Sequence, residues 1–406
     1  MQRLVATASR KSQRGLDWFT FFVADIQTGF GPFLAVYLTT QKWNQADIGL
    51  VLAVGSVAGL LSQLPGGWLV DLVPSKRRAA QVAVAALGAS ALLMAASPSF
   101  LSIMVAKLLH VGASSVLGPA IAAITLGLVG HAAVGPWLGR NARFASIGNG
   151  LAAGVMGAGG YLISPQAVFF VTAALTVPTL LALVQIRESD VDPIQADAGI
   201  PMHLAQSAKA GIAVLLKNRA LVTLALCVAL FHAANAAMLP LAATEMTVRL
   251  GNWASALIAA CIIVPQLVVA LIAPWVGRLA VEKGRRPVLL LGFAALPVRA
   301  AILAINSDPA TVVAAQLLDG VCAAVLGVLV PLSLADISRA TGRFNLAQGI
   351  VATTTGVGAT AGAATAGYLA YRFGAPFAFL GMAATGVLAL ITLLLAMPET
   401  RPEQLR

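Results

Sequence analysis

Charged residues are scarce in this chain of 406 residues. Only 10% are Asp, Glu, Lys or Arg, whereas 59% are hydrophobic. Soluble globular domains carry about 25% charged residues, so the composition excludes that class. The hydrophobic residues come in runs that are long enough for many membrane spans of about 20 residues each. The sequence therefore predicts an all-α polytopic membrane protein, because backbone groups in lipid must be satisfied within helices.

Cysteine is also rare, and the common catalytic motifs are missing. The three cysteines, Cys227, Cys261 and Cys322, all fall within apolar runs, so they indicate neither a disulfide framework nor a metal site. The chain lacks the phosphate-binding motif G-x-x-x-x-G-K-S/T and the nucleophile elbow G-x-S-x-G. We therefore expect no enzyme activity, no ATP hydrolysis, no cofactor and no resident metal.

The net charge of +11 is placed on alternate loops. The basic clusters fall at 3–14, 76–78, 140–143, 209–219, 283–286 and 339–343. This asymmetry follows the positive-inside rule and predicts that both termini are cytoplasmic. It also argues against a nucleic-acid partner, which would need a continuous basic face.

Twelve apolar spans can be counted, and a polar stretch separates them into two sets of six. The predicted spans are 16–40, 46–73, 78–97, 100–128, 142–163, 166–186, 219–247, 253–280, 287–306, 309–337, 344–371 and 376–397. The corresponding domains are a tail at 1–15, a bundle at 16–186, a linker at 187–218, a bundle at 219–397 and a tail at 398–406.

A short charged segment occurs twice. The first loop copy, 67–78, reads Gly-Trp-Leu-Val-Asp-Leu-Val-Pro-Ser-Lys-Arg-Arg, and the second loop copy, 277–286, reads Gly-Arg-Leu-Ala-Val-Glu-Lys-Gly-Arg-Arg. Gly67 aligns with Gly277, and each copy ends in a basic cluster after a turn residue. Between apolar flanks, such a segment is typical of a tight loop on the basic side of the membrane. The repetition indicates two similar halves.

The two loop copies resemble the loop signature of the major facilitator superfamily, G-x-L-x-D-x-x-G-R-R/K. Gly67, Asp71 and the basic cluster match it, with Pro74 in place of the second glycine, while the second copy has Val281 at the acidic position. The resemblance covers nearly the whole chain and implies two pseudo-symmetric six-helix bundles around a central cavity. It also implies a cytoplasmic gate that locks the halves together. The residues assigned to this gate are Gly67, Asp71, Lys76, Arg77, Arg78, Gly277, Arg285 and Arg286.

The chain departs from the family pattern in two spans. Lys107 stands where the family has a span-four arginine. The fifth span is rich in glycine, as in many drug/proton antiporters, but Val155 follows Gly154 where those proteins have a proline. The glycine-rich span favours export by proton exchange, although close helix packing also requires small residues.

Ionisable side chains inside the predicted spans are few, and each is a functional candidate because it costs free energy in lipid. Most of them are accompanied by a polar residue at i, i+3 spacing, which places the pair on one helix face. The pairs are Asp25 with Thr28, Lys107 with His110, His232 with Asn235, and Gln316 with Asp319. They fall on spans one, four, seven and ten, which line the central cavity in the superfamily.

Asp25 and Asp319 are the proton-coupling candidates, because a carboxyl group in a low dielectric favours its neutral form and can exchange a proton near neutral pH. A structural ion pair between Asp25 and Lys107 is the alternative. The substrate-cavity candidates are Thr28, Lys107, His110, His232, Asn235 and Gln316. The resemblance places span nine outside the cavity, so Arg299 is expected to be structural, and Asp336 is expected to join the gate.

These features predict a monomeric secondary transporter of a small organic solute in the bacterial cytoplasmic (inner) membrane, with both termini cytoplasmic. It works by alternating access, is coupled to protons and favours export. A symporter that takes up an organic anion stays open, because Lys107 and two histidines favour an anionic or amphipathic solute. A metal-ion exporter is a further alternative. A lipid-modifying membrane enzyme and a non-transporting sensor of the same fold represent other classes.

Overall fold

The computed structural model describes most of the chain. The described residues are 9–28, 34, 37, 38, 40–43, 45–164, 166–192, 196, 208–242, 254–339 and 341–402. They form helices joined by short connections, and no strand occurs among them.

The helices follow one another in two series. The first series is α1 (Arg10–Thr28), α2 (Gln45–Leu72), α3 (Lys76–Ala96), α4 (Phe100–Leu162) and α5 (Ala167–Gln185), followed by a short 3₁₀ turn at Glu188–Asp190 and by α6 (Ala208–Leu216). The second series is α7 (Arg219–Asn235), α8 (Ala254–Lys283), α9 (Arg285–Ile305), α10 (Pro309–Ser338), α11 (Phe344–Phe373) and α12 (Ala375–Ala396).

Within the described residues, nine helical segments are long and apolar enough to cross a membrane. One of them covers two of the predicted spans, because α4 runs from span four into span five. The connection between those spans is itself helical: the chain changes direction at Gly130, with φ +69° and ψ 171°, and is helical again immediately afterwards. Glycine adopts this backbone conformation without a steric penalty. The count of twelve spans stays a prediction.

The chain divides into two compact units. Unit 1 comprises Met1–Val134, Phe144–Ala208 and Ser338–Gly349, and unit 2 comprises Gly135–Arg143, Lys209–Ile337 and Ile350–Arg406. Each unit therefore contains one short segment from the opposite half of the sequence. The predicted domain limits are not tested by this division and stay a prediction.

The two units share one packing pattern. In unit 1, α5 packs against both α1 and α3, and in unit 2, α12 packs against both α7 and α9. The core of unit 1 includes Tyr37, whose ring meets Phe169 edge-on with centroids 4.9 Å apart and whose hydroxyl donates to the Met94 carbonyl at 3.3 Å. The last helix of each half thus lies beside the first and third helices of that half.

Small residues allow α11 to approach α7 closely in unit 2. A Cβ at Gly358 would overlap the carbonyl oxygen of Ala229, and one at Gly362 would overlap the carbonyl oxygen of Ala233. Two successive turns of α11 therefore contact the α7 backbone directly. Small side chains are the usual means of such packing in membranes, where no hydrophobic effect drives helices together.

Replacing Gly362 with alanine is expected to destabilise the protein, because the new methyl group must push α11 away from α7. Alanine at Gly367, in the same helix, should have no such cost, since a Cβ there has no neighbour within 4 Å. Alanine also favours the helix by about 1 kcal/mol over glycine. Thermal unfolding in detergent should show Gly362→Ala well below the wild type and Gly367→Ala at or above it. Equal midpoints for the two variants would contradict the close approach.

Candidate functional site

The Asp71 carboxylate of the first loop copy binds the start of α11. Its Oδ2 accepts the backbone N–H of Leu346 at 2.8 Å, and its Oδ1 accepts the backbone N–H and the side-chain amide of Asn345 at 3.2 and 2.7 Å. Backbone N–H groups in the first turn of a helix have no partner within that helix, and they carry the positive end of its dipole. Asp71 therefore acts as an N-terminal cap donated by another part of the chain.

Glycine makes this contact possible. A Cβ at Gly67 would overlap the carbonyl oxygen of Asn345, and a Cβ at Gly349 would lie 2.6 Å from the carbonyl oxygen of Gln63. The backbones of α2 and α11 therefore touch just before the loop. The glycine of the first loop copy brings α2 close enough for Asp71 to reach the start of α11.

The second loop copy repeats the close approach without the acid. A Cβ at Gly277 would overlap the carbonyl oxygen of Gly135, and the side chain of Val281, which stands at the acidic position, packs on Gly135. Gly135 lies inside the helical part of α4 that resumes after Gly130, so its N–H is already bonded within the helix. An acid at 281 would find the Gly135 N–H already occupied, whereas valine packs there without needing a donor.

The basic cluster of each copy caps the helix that precedes it. Lys76, the first residue of α3, donates from Nζ to the carbonyls of Val70 at 2.8 Å and Val73 at 3.1 Å. Arg285, the first residue of α9, donates from Nη1 to the carbonyl of Ala280 at 3.0 Å. Carbonyls at a helix C-terminus carry partial negative charge and lack helical partners. Both cations are buried because they bind these groups.

The next arginine in each copy binds the last helix of its half. Arg77 donates from Nη1 to the Ile186 carbonyl at 2.8 Å, just after α5, and Arg286 donates from Nη2 to the Leu394 carbonyl at 2.5 Å, in the last turn of α12. The equivalent contacts show that the basic clusters of both copies fasten helix ends within their own halves. Of the described gate contacts, those of Asp71 and Gly67 and those of Gly277 join different halves of the sequence.

A buried ion pair supports the second loop copy. Arg285 donates from Nε to Oδ2 of Asp336 at 2.9 Å, and the two side chains are 1% and 2% exposed. The neighbouring Glu399 accepts the backbone N–H groups of Arg285 and Arg286 at 2.9 and 3.1 Å, and so caps α9. The expected participation of Asp336 in the loop network thus takes the form of a contact with Arg285.

A polar cluster in unit 2 joins Asn235, Arg299, Gln316 and Asp319. Arg299 donates from Nη1 to Asp319 Oδ1 at 2.5 Å and to Asn235 Oδ1 at 2.7 Å, and from Nη2 to Gln316 Oε1 at 2.9 Å. The side chain of Arg299 is 2% exposed, whereas that of Asp319 is 23% exposed. Three of the sequence candidates therefore share one buried cation as their partner.

Arg299 was expected to be a structural residue outside the cavity, and that expectation stays untested. Its guanidinium contacts candidates on α7 and α10. One signal in the sequence pointed to it: an arginine inside an apolar span needs an acidic partner. Spacing along one helix cannot show which face of a neighbouring helix it meets, so the partner was missed.

The candidates of unit 1 lie on α1 and α4. The His110 Nε2 is 3.3 Å from the carbonyl oxygen of Gln27, and the Gln27 side-chain amide donates to the Ser114 carbonyl at 3.1 Å. The Lys107 stem lies over α2, where a Cβ at Gly55 would come within 2.9 Å of Lys107 Cγ. The side chains of Asp25 and Thr28 lie outside the described part of the chain, so the pair of Asp25 with Lys107 stays untested.

His232 makes its described polar contact within its own helix. Its Nδ1 lies 3.0 Å from the carbonyl oxygen of Val228, one turn earlier, and its ring contacts that of Phe231. It is half-buried and lies one turn before Asn235. The hydrogen bonds of the polar cluster thus include Asn235 but not His232.

Comparison with known proteins agrees with this repeated architecture. The sequence profile of the Major Facilitator Superfamily matches residues 18–280 and 224–406. The chain belongs to the major facilitator superfamily. It is therefore an integral membrane protein of the transporter class, not an enzyme, and its expected fold class is confirmed.

Relatives of this major facilitator are named as transporters as well. Two Mycobacterium tuberculosis proteins, MFS-type transporter MT2531 of strain CDC 1551 / Oshkosh and MFS-type transporter Rv2456c of strain ATCC 25618 / H37Rv, are each 37% identical to it over 412 residues. Each comparison covers 100% of this chain and 98% of the relative. The crystal structure of the human organic anion transporter MFSD10 (TETRAN) shares the fold, with a TM-score of 0.64, 14% identity, and coverage of 97% of this chain and 100% of that one.

An acid is expected to stabilise the protein at position 71 of the first loop copy and to destabilise it at position 281, the equivalent position of the second copy. Asp71→Val removes a cap worth about 0.5–2 kcal/mol and should lower the unfolding temperature. Val281→Asp should also lower it, because the new carboxylate meets a helix interior with no free N–H group. Thermal unfolding of the purified protein measures both changes. A stabilising effect of Val281→Asp would show that donors are available there and would contradict our explanation of the missing acid.

The buried pair of Arg285 with Asp336 is expected to matter far more than the exposed pair of Arg77 with Glu188, whose atoms are 3.3 Å apart and whose side chains are 21% and 43% exposed. Asp336→Asn should cost about 3–5 kcal/mol of unfolding free energy, because it leaves a buried guanidinium without its counter-ion. Glu188→Gln should cost about 0–1 kcal/mol. Denaturant titration of the two variants tests the contrast, and comparable losses would contradict it.

Proposed function

We propose that the protein is a proton-coupled secondary transporter of a small organic solute that works by alternating access, with Asp319 as the group that carries the proton. The single observation that supports this best is the contact between Arg299 and Asp319 in a membrane span, where the acid is 23% exposed and the cation 2%. Ionisable groups at such depth are costly and mark ion or substrate pathways.

The geometry of the polar cluster suits reversible protonation. When Asp319 binds a proton, Arg299 loses its negative partner but keeps the amide oxygens of Asn235 and Gln316, at 2.7 and 2.9 Å. A buried cation without any partner would be very unfavourable, so these acceptors lower the cost of the protonated state. Asp319 is more exposed than Arg299, so we propose that the proton reaches the pair through the acid.

The charge of the solute determines the direction of coupling. A cationic solute competes with the proton for Asp319, which produces exchange and therefore export, as the glycine-rich fifth span favours. An anionic solute instead replaces Asp319 as the partner of Arg299 once that acid is protonated. Proton and anion then move together, which is symport. Export remains the first proposal, and the position of Arg299 beside Asp319 favours symport of an organic anion as the second.

The remaining assignments complete the proposal. Asp25 is a second proton-coupling group, and Thr28, Lys107, His110 and His232 contribute to the solute site.

The first loop copy acts as the gate through Asp71, because its hydrogen bonds to Asn345 and Leu346 can open and close without breaking a helix. We place the protein in the bacterial inner membrane, with the basic loops and both termini in the cytoplasm.

Asp319→Asn is expected to abolish proton-driven transport while the solute still equilibrates down its own gradient, because asparagine binds no proton. The control is Asp308→Asn, in the connection before α10. Hydrogen bonds from the Thr311 side chain and backbone hold the pKa of Asp308 below its ordinary value, and asparagine preserves its capping of α10. Liposomes with an imposed pH gradient, tested with tetraphenylphosphonium and benzoate as cation and anion, provide the measurement.

A second measurement needs no solute. Infrared titration of the purified protein should show a carboxyl C=O band that appears as the pH falls and that is missing in Asp319→Asn but present in Asp308→Asn. Proton-driven transport by Asp319→Asn at the wild-type rate, or an unchanged carboxyl band, would overturn the assignment of Asp319.

A further inference from the structure

An apolar groove lies on unit 1 between α2, α3 and α4. It is an open groove of about 470 Å³, a volume within the roughly 300–1,000 Å³ of typical ligand pockets. Its lining is apolar except for Arg78. The proton-coupling assignment makes no use of this space, and of the residues assigned to the gate only Arg78 lines it.

Small residues create the groove, and larger apolar side chains border it. Ala86 and Gly112 are among its lining residues, and a Cβ at Gly112 has no neighbour within 4 Å. Val82 is 70% exposed and Leu69 is 47% exposed, so large hydrophobic side chains on this face point away from the protein. In an integral membrane protein such a face meets hydrocarbon chains. A lipid acyl chain therefore suits the groove chemically.

The position of Arg78 matches the order of a phospholipid. Arg78 is the third residue of α3, and Val82 and Ala86 follow one and two turns later, about 6 and 12 Å further along the axis at 1.5 Å per residue. A cation thus lies at one end of an otherwise apolar groove. A phospholipid has the complementary order, with an anionic phosphate at one end of an apolar acyl chain.

Arg78 is available because its charge is only weakly engaged. Its side chain is 73% exposed, and its Nε lies 3.9 Å from Glu188 Oε2, an atom that Arg77 contacts at 3.3 Å. Two guanidinium groups therefore share one carboxylate, which leaves one positive charge in excess. The N-terminal end of α3 adds to the positive potential there.

We propose that this groove binds an anionic glycerophospholipid, with the phosphate at Arg78 and one acyl chain along Val82, Ala86 and Gly112. The excess positive charge selects an anionic headgroup over a zwitterionic one. The groove holds the chain through apolar contact. This site is separate from the polar cluster and extends the function beyond solute transport.

The test is lipid binding to the full-length purified protein, counted by native mass spectrometry. Phosphatidylglycerol and phosphatidylcholine with identical chains are titrated in parallel. We expect one phosphatidylglycerol to bind about fivefold more tightly than phosphatidylcholine, since one basic side chain near an anionic lipid contributes roughly that factor. Arg78→Gln should remove the preference, whereas Arg219→Gln, an exposed arginine in the first turn of α7, should preserve it.

Filling the groove tests the acyl chain separately. Gly112→Leu should weaken the binding of both lipids, and Ala86→Leu serves as a second such variant in case the first fails to fold. Gly118→Leu is the control, because Gly118 lies in the same helix, also has open space at its Cβ, and is not part of the groove lining.

Equal binding of the two lipids by the wild type would overturn the proposal, as would a lipid preference that survives Arg78→Gln. Equal losses in Gly112→Leu and Gly118→Leu would show general lipid contact rather than a site. Displacement of the bound lipid by inorganic phosphate alone would show that Arg78 binds an ion and that the groove contributes nothing, which would also overturn it.

Discussion

Unpaired backbone groups at helix ends are the constraint on which the loop architecture of this protein depends. Each helix begins with free N–H groups and finishes with free carbonyls, and neither kind can be left without a partner near lipid. Asp71 and Glu399 satisfy the starts of α11 and α9, while Lys76 and Arg285 satisfy the carbonyls at the ends of α2 and α8. The charged residues of the repeated loop therefore match the groups at helix termini. The acids bind N–H groups at helix starts, and the bases bind carbonyls at the ends of the preceding helices.

This constraint also explains how far the sequence could be interpreted in advance. The span limits were predicted well where charged residues bound an apolar run; α10 was expected at 309–337 and is found at Pro309–Ser338. The helical connection after Gly130 was missed, because a backbone break at one glycine leaves no change in hydrophobic pattern.

Aligning the loop copies from their first glycines pairs Ser75 with Arg285. The structure instead pairs Lys76 with Arg285, since each is the first residue of a helix and reaches back to the preceding one.

The candidate site could be predicted only in part, for a related physical reason. Spacing at i, i+3 identified Asp319 and Gln316 as neighbours on one face of α10, and this depends on a single helix. The contact with Arg299 depends on how α9 and α10 are rotated against each other, which the packing of side chains along both helices determines. A charged residue in an apolar span indicates that a partner exists, but it does not identify the partner.

The choice of arginine at 299 bears on the proton coupling that we propose for the polar cluster. A guanidinium presents five donors in a planar fork, so it can bind a carboxylate and two amide oxygens in fixed directions at the same time. Lysine has three donors on a flexible stem and is more easily deprotonated when buried. In the coupling that we propose, Arg299 supplies the permanent positive charge and Asp319 carries the proton. A guanidinium that binds three acceptors in fixed directions therefore suits the role that we propose for Arg299, a constant charge beside an exchangeable one.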